Sequence, residues 1–154
     1  MATITNDQDL RTLLHKLPAD QQRIIGARFA QSVVHLSKDE RVNRAIETAL
    51  RADATPGELE DAYRGAKAWA TKTYTDCGKD TDWLAQADHF VAAATAAALT
   101  PESLLTEKTN RAWKAAMQAR MANNCELVEG ADDAHTDEVQ RQYAIAEDFV
   151  DAAG

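Results

Sequence analysis

The residues best suited by type to do chemistry stand together at Asp88-His89, heading a run of alanines in the segment WLAQADHFVAAATAAALTP, Trp83 to Pro101. A carboxylate beside an imidazole can bind a divalent metal or serve as an acid–base pair. On an ideal helix, turning about 100° per residue, Asp82, Gln86 and His89 share one side and Ala93 continues it. Two ligands from one helix make no site without others, and His35, Glu58 and Asp61 are the side chains that other helices have to offer. His89 with Asp82, Asp88, Glu58 and Asp61 is therefore the metal-binding or enzymatic reading of the chain. The competing reading is a histidine at the surface or quietly hydrogen-bonded, and it is the one expected, with no metal and no cofactor.

Other catalytic signatures are missing. The chain has no pair of histidines spaced around a glutamate as in zinc proteases, no glycine-rich phosphate loop and no nucleophile elbow. Cys77 and Cys125 are too few and too far apart for a disulfide framework or a metal knuckle, and read as ordinary reduced thiols. The run ELVEGADDAHTDE, Glu126 to Glu138, holds six acidic residues and no lysine or arginine. It reads as a solvated connection whose last acids favour the positive end of the following helix. It also reads as a docking surface for a basic partner, formed by Glu126, Glu129, Asp132, Asp133, Asp137 and Glu138. The alternating ligand pattern of a calcium loop is absent. Trp69, Trp83 and Trp113 fill a core in the first instance; Trp83, in the first turn of its helix, is the one expected at a partner interface.

These residues must be positioned by helices. Alanine, the best helix former, makes up about a fifth of the 154 residues, and no window alternates apolar with polar as a half-buried strand does. The expected fold is all-α, a six- to seven-helix antiparallel bundle in one domain spanning residues 1–154, with a HEAT-like stack of helical pairs as the alternative. The first helix is expected over Asp7–Lys16, ending before Leu17-Pro18 because the residue preceding proline leaves helical geometry. The second is expected over Ala19–Leu36, and a third from the capping box Ser37-Lys-Asp-Glu40 to about Ala52. Thr55-Pro56 starts the fourth, which Cys77-Gly78 stops. Thr81 caps a fifth that runs to Leu99. Thr100-Pro101 opens the sixth, and the last runs from about His135 to Ala152.

The formal net charge of −8 disfavours nucleic acid and anionic membrane partners and favours a basic protein partner. No secretory signal is read at the start, and Phe90–Leu99 is far shorter than the roughly 20 residues of a membrane span. A cytoplasmic protein is expected. Exposed alanine ridges packing across a twofold axis would make it a homodimer.

The succession ARFAQSVVHLSKDERVNRAIETAL, DAYRGAKAWA, ADHFVAAATAAAL, AWKAAMQARMA and EVQRQYAIA is similar to alanine-rich, all-helical immunity proteins of bacterial toxin systems. In them an acidic-Arg-x-x-x-Ala-Ile segment, here Asp39 to Ile46, links the second helix to the third. The chain departs from the pattern in having fewer histidines on the alanine helix. The resemblance implies a non-catalytic protein that binds and neutralises a toxin, with no residue roles to carry over. The expected function is accordingly a non-enzymatic protein-binding module.

Overall fold

The computed structural model describes residues 3–77, 83–106, 109–129 and 137–153, with backbone only at 75–77, 129 and 153. Its α-helices are α1 (Asp7–Lys16), α2 (Ala19–Gln31), α3 (Glu40–Leu50), α4 (Pro56–Cys77), α5 (Trp83–Leu99), α6 (Arg111–Glu129) and α7 (Glu138–Ala153). Two 3₁₀ turns, Val34–Leu36 and Glu102–Leu104, interrupt the succession. Among the described residues there is no strand, and the expected all-α class holds.

Local chemistry sets most of the boundaries. Asn6 caps α1 by accepting the Asp9 amide at 2.9 Å, and Leu17, extended before Pro18, ends it. Thr55 and Glu58 form a reciprocal box at the head of α4: the Thr55 hydroxyl accepts the Glu58 amide (3.1 Å) while the Glu58 carboxylate accepts the Thr55 amide (3.0 Å).

Three expected boundaries are corrected. The α-helix α2 stops at Gln31, because the Ser32 hydroxyl turns back on the Phe29 carbonyl (2.7 Å) and Val33 leaves helical geometry at φ −119°, ψ 14°. The cap of α3 is Asp39, not Ser37: its carboxylate accepts the Arg41 amide at 2.7 Å, while Ser37 closes the preceding 3₁₀ turn. Thr100-Pro101 opens only the turn Glu102–Leu104, with the Thr100 hydroxyl donating back to Ala96 O (2.8 Å). The sixth helix begins ten residues later, where Asn110 accepts the Trp113 amide at 3.0 Å. The proposed Thr81 cap lies outside the described residues.

The alanine helix α5 occupies the middle, packed on α2, α3, α4 and α6. Ala87, Val91, Ala92, Ala94 and Thr95 to Leu99 are all buried, so it is enclosed on more than one side. Small side chains let neighbours close in: a Cβ placed on Gly26 of α2 would lie 3.0 Å from Ala98 Cβ. Larger groups fill the flanks. Leu10, Leu14, Ile25 and Phe29 meet Tyr143 and Phe149 on one side, and Val33, Val42, Ile46 and Val91 meet on the other. Full burial of each such side chain stabilises the fold by about 1.5–3 kcal/mol. α2 touches α3, α5, α6 and α7, whereas in a linear stack each repeat meets only its neighbours, so the arrangement is a bundle.

Candidate functional site

Helical spacing places Lys67, Ala70, Thr71 and Tyr74 along one face of α4. Opposite them run His89, Ala93, Ala96 and Ala97 of α5, and Lys114 and Gln118 of α6 close the far side. Together they line a groove of about 540 Å³, with Leu104 at one end. The alanines form its floor, because a methyl group leaves open the space a longer side chain would fill.

Within this groove His89 is held in one tautomer. Its Nδ1 lies 2.9 Å from the Ala70 carbonyl, which can only accept, so Nδ1 carries the proton. The Thr73 hydroxyl oxygen sits 3.1 Å from the same nitrogen. The Phe90 ring stands edge-on to the imidazole at 5.1 Å and the Tyr74 ring is tilted against it at 5.8 Å. Burial pushes the His89 pKa below the ordinary histidine value, and the nearby Lys67 ammonium adds to that; the Ala70 carbonyl and Asp88 oppose it. The result is a neutral ring whose Nε2 offers a lone pair, with no bond to another described residue.

Asp88 follows a different course although it is the next residue back. It is 4% exposed, and its Oδ1 accepts the Trp69 indole N–H (3.0 Å) and the Lys38 backbone amide (3.1 Å). It thereby joins α5 to α4 and to the entry of α3. The two side chains make no hydrogen bond to each other. A carboxylate engaged by two donors, one of them main chain, is a structural tie.

The remaining residues of the metal reading are not gathered around His89. Glu58 pairs with Arg51 at 2.6 Å and caps α4; the Arg51 guanidinium foremost, then Thr55, holds its pKa down to about 2. Asp61 lines, with Glu58, Arg41 and Arg44, a separate shallow groove between α3 and α4. Along α4, Glu58 is twelve residues from Ala70, the residue His89 bonds, or about 18 Å at 1.5 Å per residue. His35 bonds Glu126 at 2.9 Å instead. Asp82 lies outside the described residues, among which no three His, Cys, Asp or Glu side chains are grouped to hold a metal.

The acidic docking surface is corrected in two of its members. Glu126 is 6% exposed with Oε2 on His35, and Glu138 is 3% exposed, bonded to Ser32 and Arg141. Each lies on an inward helix face where a specific donor takes its charge. Asp137 is exposed, the side chain of Glu129 is not described, and Asp132 and Asp133 lie outside the described residues. Trp83, the first residue of α5, is half-buried and packs against the core.

The sequence reading missed Lys67, Tyr74, Leu104, Lys114 and Gln118. The spacing of Lys67, Thr71 and Tyr74, and of Lys114 and Gln118, marks one helix face each, but only packing brings those faces to His89. No helix among the described residues is long and apolar enough to cross a membrane. In comparisons with known proteins, no family model, no curated protein and no solved structure matches the chain.

Proposed function

We propose that this protein acts in the cytoplasm by binding a protein partner, without catalysis, and that the α4–α5–α6 groove is its recognition surface. The observation that carries the reading is the pair of large side chains at the groove, Tyr74 and Leu104, which are 71% and 61% exposed above an alanine floor. Apolar groups held at the lips of a groove gain most when a partner covers them. Asp88, the acid best placed by sequence to assist His89, is committed to holding helices together. In the immunity-type version that the sequence resemblance implies, the partner is a toxin.

The test is co-purification of the tagged protein with the product of the gene beside its own, using wild type and a Tyr74→Ala/Leu104→Ala variant. The expected result is a stoichiometric complex that the double substitution abolishes, and rescue of cells from the partner's toxicity by wild type alone. A complex that survives the double substitution would move the interface elsewhere. Absence of any complex at low salt would remove the binding reading.

A further inference from the structure

Resting on that reading, we propose that the groove receives an acidic, apolar segment of the partner: carboxylates pair with Lys67 and Lys114, and apolar side chains of the same segment pack on Tyr74 beside His89 and on Leu104 at the other end. The charge pattern points this way. The chain carries a formal net charge of −8, yet among the described residues this groove is lined by two lysines and a histidine and by no carboxylate. Two other grooves balance their cations with acids, Arg23 and Arg64 with Asp20 and Glu60 in one, Arg41 and Arg44 with Glu58 and Asp61 in the other.

The lysines are also uncommitted. Every ion pair among the described residues is made by an arginine or by His35, and none by Lys67 or Lys114. Both side chains are exposed, so pairing with an incoming carboxylate requires no prior bond to break. Lys67 lines the groove with His89 and is near enough to act electrostatically on its ring, which places positive charge beside the imidazole. Nε2, as an acceptor, suits a peptide N–H next to the carboxylate-bearing residue. The alanine floor admits a main chain close to α5, and the aromatic and leucine lips favour an apolar residue over a bare small anion.

The full-length ¹⁵N-labelled protein titrated with three probes tests this by NMR. The probes are an acetylated, amidated hexapeptide alternating Glu with Leu, the same peptide with Lys for Glu, and sodium acetate. The Glu–Leu peptide is expected to shift the amide signals of Lys67, Thr71, Tyr74, His89 and Lys114 saturably. Lys67→Gln/Lys114→Gln is expected to raise its Kd at least about tenfold. The Lys–Leu peptide is expected to produce no saturable shift at these positions, and acetate only a far weaker one. No saturable shift with Glu–Leu, an equal response to Lys–Leu, equal affinity for acetate, or unchanged affinity in the double lysine variant would each overturn the inference. If the partner complex depends on Tyr74 and Leu104 but not on the lysines, the acidic segment falls while the groove reading stands. If the peptide binds and no partner complex forms, the reverse holds.

Discussion

At the scale of single residues, the informative contrast is between Asp88 and His89. Successive positions on a helix point about 100° apart, so the pair that looks like one constellation in sequence serves two environments. Asp88 turns inward to Trp69 and Lys38, and His89, which lines the groove, turns its Nδ1 across to Ala70. The pKa direction of His89 makes a prediction with a definite sign. Folding lowers this pKa, chiefly by burial, so the unfolded chain takes up the proton first as the pH drops. The stability contributed by neutral His89 is complete above the ordinary value of 6.5 and is lost as the pH falls through the interval down to its folded pKa. An imidazole NMR titration should show His89 titrating below 6.5, with Nδ1 protonated in the neutral form. A midpoint at or above that value, or the Nε2–H tautomer, would contradict the assignment.

At the scale of elements, caps and close approaches decide where helices begin and how near they lie. The Thr55 cap announces itself because a short polar side chain stands directly before Pro56 and an apolar-periodic stretch, with Glu58 three residues on. The misplaced start of the sixth helix shows the limit of that signal. Thr100-Pro101 has the right residues, but the Thr100 hydroxyl stays with α5 and its carbonyl is taken by Arg111 Nε at 2.7 Å, leaving Asn110 to cap α6. Gly26 is the sharpest element-level constraint. An added Cβ would meet Ala98 Cβ at 3.0 Å and the Cα atoms of Ala98 and Ala112 at 3.4 Å, and main chain cannot swing aside. Gly26→Ala should gain about 1 kcal/mol in helix propensity and lose more through overpacking of about 1–3 kcal/mol. A net loss of roughly 1 kcal/mol in urea unfolding is expected, partly restored by adding Ala98→Gly. An unchanged or higher midpoint for Gly26→Ala would show that the three helices can separate freely.

At the scale of the whole molecule, one polar clasp joins the helices at the two ends of the described chain. Asp7 of α1 accepts two bonds from Arg120 of α6 (2.8 and 3.0 Å) and one from the Tyr143 hydroxyl of α7 (2.8 Å), while Arg120 Nε bonds Gln142 at 2.9 Å. Gln142 is fully buried and also donates to the Ala116 carbonyl. Arg120→Ala should destabilise the protein modestly, by about 1–2 kcal/mol, because the bonds are charge-assisted but the Asp7 side chain is half-exposed. Hydrogen exchange is the discriminating measurement: amides of α1 and α7 should exchange faster while those of α2 and α5 keep their protection. Uniform loss of protection would mean that the clasp supports the core and not only its ends.

The all-α class, the run of α1 to the residue, the Thr55 start of α4 and the end of α5 at Leu99 were legible in the sequence. They rest on interactions within a few residues: helix propensity, capping and the 3.6-residue period. Composition likewise determined the net negative charge. What only the tertiary structure decided is which helix faces meet. Sequence spacing gives a face its direction but not its neighbour, so it could not separate Glu58 and Asp61 from His89, bury Glu126 and Glu138, or bring Lys67 and Lys114 to one groove. The alanines stand on both sides of this division. Their number made α5 a helix wherever it lay, but the floor of a cationic groove exists only because α4 and α6 pack on either side of it.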